Sequence, residues 1–411
     1  MTKSTANGQR CLYCGATYPL YPPLATGCPA CATDNFKSSL EVTYDYPESA
    51  AWLPDQPLPG LTRYAPLLPP LVERLSMGEG GTPLVAHPVQ ELGGAEIYIK
   101  DEGRNPTWSH KDRLNLAVSS TALAVEAAGV VAASSGNHGA SAAAYASRAG
   151  LPAVILTTPR PPAVASFVQA YGQTVVAVPD VETRWTLMER LVEEFDYHPA
   201  SNQTIPPTNH PFGAENYKTI AYELYLQLGR RAPEAVFVPT GYAELLFGVH
   251  KGFRELLHYG LIDRLPRMMA CEPAAGAPLK RALELGQPVA YVDTGSSNAY
   301  AIAVPVNSYR GVVAVQESDG AALAITDEEM VAAQRQLSRA GMWVELSAAI
   351  SMAGLLHARE LGLGRRGPLV AISTSSGFKD HTVGQTPIPR IDGSWEALLE
   401  MLEKKADHDD A

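Results

Sequence analysis

The segment that decides the fold lies at 130–157 and has the sequence VVAASSGNHGASAAAYASRAGLPAVILT. It begins with a short apolar run at 130–133 and ends with a second one, AVILT, at 153–157. Between them, the alanine-rich stretch at 139–148 has the composition of a helix. Two short strands joined by a helix predict a parallel βαβ unit, with the loop SSGNHG at the end of the first strand.

The same alternation of strands and helices extends in both directions from this unit. Further strands are predicted at 95–100, 174–178, 235–238, 268–272, 312–316 and 368–373. Further helices are predicted at 111–128, 163–170, 214–229, 245–258, 326–340 and 347–361. Such alternation is typical of parallel sheets that helices cover on both faces. The predicted fold class is therefore α/β, with two open parallel-sheet domains and a cleft between them.

The composition limits the kind of protein that this chain forms. It has 411 residues, of which 46% are hydrophobic and 18% are charged, as in ordinary globular proteins. Its net charge of −11 argues against nucleic acid or anionic lipid as the main partner. No apolar run reaches the roughly 18 residues that a membrane helix needs, and the N-terminus lacks the apolar core of a signal peptide. We therefore expect a cytoplasmic protein with neither a membrane nor a nucleic-acid partner.

Four of the five cysteines lie within the first 31 residues, as two C-x2-C pairs. They are Cys11, Cys14, Cys28 and Cys31. Each pair aims two sulfur atoms at one point, so the two pairs predict a tetrahedral zinc site in a small ribbon. Because protein fills all four positions, the zinc would be structural. The alternatives are a disulfide, which is unusual without an export signal, and unreacted thiols. The ribbon contains only three basic residues, so nucleic-acid binding is not expected.

Lys111 is the first candidate catalytic residue. It lies in the loop NPTWSHKDR at 105–113, at the start of a predicted helix. A helix N-terminus favours the neutral form of an amine, and a neutral lysine attacks carbonyl groups. On the residues alone, a solvated surface lysine flanked by Asp112 and Arg113 is the more common situation.

Three more loops follow predicted strands, where open α/β folds place their sites. In SSGNHG, at 134–139, small residues let backbone N–H groups converge on an anion, although a simple tight turn is the alternative. PTGYAELLFG, at 239–248, occupies the place of a phosphate-binding loop but contains only two glycines. TSSGFKD, at 374–380, offers hydroxyl groups to a ligand or forms a polar turn.

Taken in order, these segments resemble pyridoxal-phosphate enzymes of the tryptophan-synthase-β fold, and the threonine synthase family most closely. The segment IKDEGRNPTWSHKDR at 99–113 is similar to the family's Schiff-base motif KxEGxNPTGSFKDRG. GEGGTPL at 78–84 resembles the entry motif, and TSSGFKD resembles TGxGLKD. The matches keep the family's order from 78 to 380, and an N-terminal zinc ribbon also occurs in some family members.

The resemblance implies a role for each matched residue. Lys111 would hold pyridoxal phosphate as a Schiff base and then move protons at the substrate Cα. Asn137 would hydrogen-bond to the 3-hydroxyl oxygen of the cofactor, and Thr374 would meet its ring nitrogen. The substrate carboxylate would be held by Ser134, Ser135, Gly136 and His138. The cofactor phosphate would be held by Gly241, Tyr242, Ala243, Glu244 and Leu245.

Several positions depart from the family pattern. Trp108 stands where the family has a small residue and His110 where it has Phe, so we expect both to line the substrate pocket. Ala243 and Leu245 stand where relatives commonly carry glycine. Alanine and leucine resist positive φ, which predicts either a different loop path or a weaker hold on the phosphate. A zinc-ribbon binding or regulatory protein built on a retired enzyme is therefore the non-enzymatic alternative.

The resemblance also implies the organisation of the chain and its reaction. A zinc ribbon is predicted at 1–40, a large domain at 41–105 and 206–395, and a small domain at 106–205, with the cofactor in the cleft. The expected reaction is elimination or replacement at Cβ or Cγ of a small L-amino acid, in a homodimer. O-phosphohomoserine is the first candidate substrate. Dehydration of serine or threonine and β-replacement synthesis of a specialised amino acid are the alternatives.

O-phosphohomoserine carries a phosphate of its own, which requires cationic groups in the pocket. The cations available near the matched motifs are Lys100, Arg104, Arg113, Arg160 and Lys218. The sequence does not say which of them face the substrate.

Overall fold

The computed structural model describes residues 1–87, 92, 94–158, 163–379, 390, 394–396 and 398–401. The elements discussed below belong to one compact unit, Met1–Lys379. The second unit, Asp380–Ala411, contains few described residues. Arg160 and Asp380, which the sequence analysis singled out, lie outside the described residues.

The strands and helices follow one another along the chain in the order that the α/β pattern predicts. The strands are β1 (Ala6–Cys11), β2 (Thr17–Pro19), β3 (Leu40–Tyr44), β4 (Leu84–Ala86), β5 (Ile97–Asp101), β6 (Gly129–Ala133), β7 (Ala153–Thr157), β8 (Thr174–Ala177), β9 (Tyr197–Pro199), β10 (Ala235–Pro239), β11 (Arg267–Pro273), β12 (Ala321–Ile325) and β13 (Leu369–Ser373). The helices are α1 (Lys111–Ala124), α2 (Asn137–Ala149), α3 (Ala163–Ala170), α4 (Val181–Phe195), α5 (Pro211–Asn216), α6 (Lys218–Gln227), α7 (Glu244–His258), α8 (Pro278–Leu285), α9 (Tyr309–Glu317), α10 (Asp327–Arg339) and α11 (Leu346–Leu356).

The strands form three sheets. The N-terminal ribbon is an antiparallel sheet in the order β2-β1-β3. A parallel sheet follows in the order β8-β7-β6-β9, and its strands all lie within the predicted small domain at 106–205. A larger sheet has the order β12-β11-β10-β13-β5-β4, in which β4 alone runs antiparallel to its neighbour. The α/β class with two parallel-sheet layers is thus confirmed, whereas the domain limits stay a prediction.

The βαβ unit at 130–157 forms as β6, α2 and β7, and its geometry explains why the loop SSGNHG lies at a sheet edge. The strands β6 and β7 pair in parallel over Val130–Ala133, so both end at the same edge. The helix α2 begins at Asn137 with Gly136 as its N-cap and ends at Gly150, which has the left-handed conformation of a helix C-cap. The loop SSGNHG therefore faces the carboxyl edge of the small sheet.

The strand predicted at 312–316 is wrong, because these residues lie inside the helix α9. Val312, Val313 and Val315 are buried there, and the chain forms its strand β12 only at Ala321–Ile325. A short buried apolar run does not distinguish a strand from a helix, so the β-branched residues misled the prediction. No strand was predicted at the alanine-rich β12, because alanine is not enriched in strands.

Two predicted helices also have different limits. The helix predicted at 111–128 ends at Ala124, and Glu126 follows with a positive φ of 54°. The helix predicted at 214–229 is divided at Tyr217 into α5 and α6.

The proline-rich connector at 45–80 contains only short 3-10 helices, as its prolines predict. They span Ala50–Trp52, Leu61–Leu67 and Glu73–Leu75. Trp52 is buried with its ring 4.8 Å from that of Tyr222, so the connector packs onto α6. Within the described part of the chain, no helix has both the length and the apolarity that crossing a membrane requires.

Candidate active site

Lys111 begins α1 and lies near residues from two other helices. Its Nζ atom is 3.5 Å from Oε2 of Glu244, the first residue of α7, and 5.8 Å from the centre of the Tyr217 ring. The Lys111 side chain is 18% exposed, and its amine faces a carboxylate and an aromatic ring. Lys111 is therefore not the fully solvated surface lysine that the local sequence suggested.

The loop that carries Lys111 is paired with the segment TSSGFKD. Ser109 and Ser375 form an antiparallel bridge between the two segments. The N–H of His110 donates to the carbonyl of Thr374 at 2.9 Å, and the N–H of Ser376 donates to the carbonyl of Trp108 at 3.1 Å. Two motifs more than 260 residues apart are thereby held together, and Thr374 is fixed beside the start of α1.

His110 is held in a neutral state next to Lys111. Its Nδ1 lies 3.1 Å from the carbonyl oxygen of Thr374, and its ring packs 5.5 Å from that of Tyr217. Burial, and then the charge of Lys111, lower the pKa of His110 well below its usual value. The imidazole at this position is therefore unprotonated near neutral pH.

Trp108 has a backbone conformation that normally belongs to glycine. Its φ is 62°, and its ring is 46% exposed and packs 6.0 Å from that of Phe167. Together with Tyr171 and Lys379, these two rings line a small cavity beside the Lys111 loop. Trp108 therefore lines a cavity of which His110 is not a lining residue, and the place of both in the substrate pocket stays a prediction.

The SSGNHG loop is connected to two residues that the sequence analysis did not assign. The side-chain amide of Asn137 donates to Glu345 at 2.9 Å, and its oxygen accepts from Nζ of Lys379 at 2.5 Å. Burial lowers the pKa of Lys379. Lys379 belongs to the motif TSSGFKD, so the sequence offered a signal for its place near Asn137. Glu345 belongs to no motif, so the sequence offered no signal for it.

The remaining residues of this loop shape the N-terminus of α2. The hydroxyl of Ser134 accepts from the N–H groups of Gly136 and Gly139, at 3.2 and 3.0 Å. The hydroxyl of Ser135 accepts from Nη1 of Arg184 at 3.1 Å, which brings a positive charge to the loop. Arg184 lies on α4 in no recognisable motif, so sequence reasoning missed it. Burial, and then the charge of Lys111, lower the pKa of His138 to about 3.

The loop at 241–245 leads into the N-terminus of α7. Ala243 is the N-cap and has a φ of 60°, and the carbonyl of Tyr242 accepts from the side chain of Asn209 at 3.2 Å. A left-handed alanine costs about 1–2 kcal/mol relative to glycine-like freedom. Leu245 is buried, so its side chain points away from solvent. Ala243 therefore adopts the left-handed conformation that its side chain was expected to resist.

Four of the five cations proposed for a substrate phosphate are engaged in ion pairs. Lys100 and Arg113 are fully buried and both bind Glu223, at 2.6 Å. Lys218 is fully buried between Glu215 and Glu255, and the largely exposed Arg104 binds Asp101. The fifth, Arg160, lies outside the described residues. Lys379 and Arg184 instead contact the SSGNHG loop, through Asn137 and Ser135.

The four N-terminal cysteines converge as their spacing predicts. Their sulfur atoms all lie within 4.8 Å of one another, with Cys11–Cys31 and Cys14–Cys28 sulfur distances of 3.7 Å. Four sulfurs at about 2.3 Å from a central zinc ion are separated by just under 4 Å, so the arrangement fits a tetrahedral ion. Cys271, the fifth cysteine, is buried in β11.

Comparisons with known proteins identify the class. The family model described as pyridoxal-phosphate dependent enzyme matches residues 75–375. The chain therefore belongs to the family of pyridoxal-phosphate-dependent enzymes of fold type II, in which the resemblance placed it, and it is a lyase of that family.

Within this family, threonine synthases are similar to it over nearly the whole chain. The threonine synthase of Methanosarcina acetivorans is 32% identical over 417 residues, covering 97% of this chain and 99% of the relative. That of Methanocaldococcus jannaschii is 35% identical over 393 residues, covering 90% and 93%.

Solved structures agree with the fold. O-ureido-L-serine synthase matches with a TM-score of 0.63 and 21% identity, covering 80% of this chain and all of that one. Isoform 2 of threonine deaminase from Solanum lycopersicum matches with a TM-score of 0.62 and 22% identity, covering 78% and 82%. At these identities the likeness describes the fold and not the reaction.

The residues around Lys111 fit the cofactor that the family uses. The hydroxyls of Ser109, Ser373 and Ser375 are buried, and among the described residues none of them has a hydrogen-bond partner. The same holds for Nε2 of His138. Buried polar atoms normally have partners, so this group of unpartnered donors and acceptors suits a polar ligand bound in the cleft.

Proposed function

We propose that this chain converts O-phosphohomoserine to threonine, by elimination at Cγ and addition of water at Cβ. The observation that carries the proposal is the position of Lys111. Its partly exposed amine starts α1, lies 3.5 Å from Glu244, and is tied through the 108–110 segment to Thr374. The similarity to threonine synthases along nearly the whole chain supports O-phosphohomoserine as the substrate.

Pyridoxal phosphate, when bound through Lys111, supplies the electron sink that makes protons of the substrate carbon skeleton acidic. Once the substrate amine has taken its place on the cofactor, the freed amine of Lys111 takes the proton at Cα and moves protons at Cβ. Glu244 orients this amine through its contact at 3.5 Å. Over the whole reaction the Cγ–O bond breaks, a proton moves from Cβ to Cγ, and water adds its hydroxyl at Cβ. The leaving phosphate takes the remaining proton of that water, so atoms and charge balance.

The other residues bind and orient. The N-terminus of α2 and the loop Ser134–Ser135–Gly136 hold the substrate carboxylate, and Arg184 adds a positive charge behind Ser135. Asn137, placed by Glu345 and Lys379, holds the 3-hydroxyl oxygen of the cofactor. Thr374 offers a neutral hydroxyl to the ring nitrogen, which moderates the electron sink and favours elimination and replacement. His138 and the neutral His110 complete the wall next to Lys111, with Trp108 at the pocket entrance.

A second candidate function is dehydration of serine or threonine. The observation that favours it is the engagement of Lys100, Arg113 and Lys218 in buried ion pairs, because none of these cations is then available for a substrate phosphate. Lys379 and Arg184 remain as phosphate partners in the first proposal. The two functions therefore differ in whether the protein binds a phosphate group of the substrate, in addition to that of the cofactor.

The experiment that separates them is incubation of the purified protein with O-phosphohomoserine, homoserine, serine and threonine. We expect release of phosphate together with threonine from O-phosphohomoserine alone, and no product from a Lys111→Ala control. Ammonia and a keto acid from serine or threonine, without phosphate release from O-phosphohomoserine, would overturn the first proposal and support the second.

We also propose that the ribbon binds one structural zinc ion, and that the protein is a cytoplasmic homodimer. The convergence of the four sulfur atoms supports the zinc. Metal analysis of the purified protein and its mass in solution test these two points.

A further inference from the structure

The cofactor-phosphate loop lacks an obvious cation. Its anchoring groups are the backbone N–H groups at the N-terminus of α7, which favour an anion through the helix dipole. However, Glu244 places a carboxylate at the first position of this helix, and its ion-pair partner is Lys111. A phosphate dianion next to a carboxylate is repelled unless another positive charge lies close by.

Arg310 is a buried arginine whose hydrogen-bonding capacity is largely unused. Its side chain is completely buried, and Nη2 donates to the carbonyl oxygen of Leu40 at 2.6 Å. Its Nε and Nη1 atoms have no partner anywhere in the described part of the chain. A buried guanidinium with two unpartnered nitrogen atoms is costly, because buried charges are normally paired. These two nitrogens therefore indicate a ligand of negative charge.

The position of Arg310 relates it to the phosphate loop. Its guanidinium carbon lies 5.7 Å from the centre of the Phe247 ring, and Phe247 is in the first turn of α7. The next residue, Gly311, packs so closely on the loop that a Cβ there would lie 3.0 Å from that of Ala243. The start of α9 thus lies against the turn Ala243–Phe247.

The ribbon fixes Arg310 from its other side. The Tyr309 ring packs 5.4 Å from that of Tyr13 and 6.0 Å from that of Phe36, both in the ribbon. The hydroxyls of Ser308 and Ser39 are 3.3 Å apart. With the bond from Arg310 to Leu40, the N-cap of α9 and the first two residues of this helix all contact the N-terminal ribbon. The guanidinium is therefore pre-positioned, which lowers the entropic cost of binding.

We propose that Arg310 binds the phosphate of the cofactor through an unpartnered N–H group of its guanidinium, and replaces with this buried charge the close backbone approach that glycines at 243 and 245 would allow. This assignment rests on the proposed function, because it needs pyridoxal phosphate in the cleft. It gives the N-terminal ribbon a part in cofactor binding, since the ribbon holds the arginine. It also assigns a role to α9, in which the sequence analysis placed no functional residue.

The test compares the binding of pyridoxal phosphate with that of pyridoxal, which lacks the phosphate, by absorbance titration of Arg310→Gln and the wild type. A charge-assisted bond is worth about 1.5–3 kcal/mol, so we expect pyridoxal phosphate to bind about 10- to 100-fold more weakly to the variant. The affinity for pyridoxal should change little. Arg254→Gln is the matched control, because Arg254 also lies on the ribbon side, 3.9 Å from Glu41, but ten residues beyond Glu244 on α7.

The outcomes are distinct. Equal loss of affinity for both ligands, or no loss for either, would overturn the role of Arg310 while leaving the enzyme proposal in place. A wild type that binds neither ligand would overturn the proposed function itself and this inference with it. If Arg310→Gln does not fold, Arg310→Lys replaces it, since lysine keeps the charge but not the fixed N–H directions of the guanidinium. Its ratio of the two affinities should still fall, and an unchanged ratio would contradict the proposal.

Discussion

Trp108 and Ala243 adopt a backbone conformation that favours glycine, although both carry a side chain. Both have left-handed φ angles, 62° and 60°, although neither is glycine. The sequence showed that the side chains were unusual at these positions, but not which conformation they would take. Their strain, about 1–2 kcal/mol each, is concentrated next to Lys111 and the phosphate loop, as is common at functional sites.

His110 provides a prediction about pH. Because burial and the charge of Lys111 lower its pKa well below the usual value, His110 stays neutral from pH 6 to 8 and contributes no titration there. The pH profiles of kcat for His110→Phe and wild type should therefore have the same shape in that range, whatever their heights. Loss of an inflection between pH 6 and 8 in the variant would contradict this account and make His110 a titrating acid or base.

At the scale of elements, the buried ion network behind Lys111 joins β5, α1 and α6. Glu223 on α6 binds Lys100 of β5 and Arg113 of α1, and all three side chains are fully buried. Glu223→Gln would leave two buried cations short of one negative charge, so we expect the free energy of unfolding to fall by about 3–5 kcal/mol. Denaturant titration measures it. Glu194→Gln, which breaks the exposed pair with Arg190, is the control and should have little effect.

The Glu223 carboxylate also makes the stability of the protein depend on pH. Burial alone would raise the pKa of Glu223, but the charges of Arg113 and Lys100 lower it to about 2. Its contribution to stability is therefore complete above the unfolded pKa, near 4.3, and disappears as the pH falls towards 2. Unfolding measured between pH 5 and 2.5 should show a weaker pH dependence for Glu223→Gln than for the wild type. Parallel curves would contradict the assignment.

The ribbon leads to a prediction about metal removal. Stripping the proposed zinc ion with a chelator should lower the melting temperature, because small ribbons depend on their metal for folding. It should also weaken the binding of pyridoxal phosphate more than that of pyridoxal, since the ribbon holds Arg310 through Leu40. In Arg310→Gln the chelator should cause no further loss of cofactor affinity. A metal-free protein with unchanged melting temperature and affinity would contradict both roles.

At the scale of the whole molecule, the sequence was sufficient for what is encoded locally. The periodicity of β6, α2 and β7 predicted the fold class, and the cysteine spacing predicted the cluster of sulfur atoms. The rest depends on long-range packing. Arg184 contacts Ser135, Glu345 contacts Asn137 and Arg310 lies near Phe247, all from segments without motifs, so only the tertiary structure brings them forward as candidates. The wrong prediction of a strand at 312–316 has the same cause. In a short apolar run, tertiary burial decides between helix and strand.

The central claim is that Lys111 is the residue that carries the cofactor. The most direct measurement is borohydride reduction of the protein loaded with pyridoxal phosphate, followed by mass spectrometry of its peptides. We predict a single adduct on Lys111, a colourless Lys111→Ala variant without an adduct, and an unchanged adduct in Lys379→Met. An adduct on Lys379 or another lysine, or a wild type that forms none, would contradict the account.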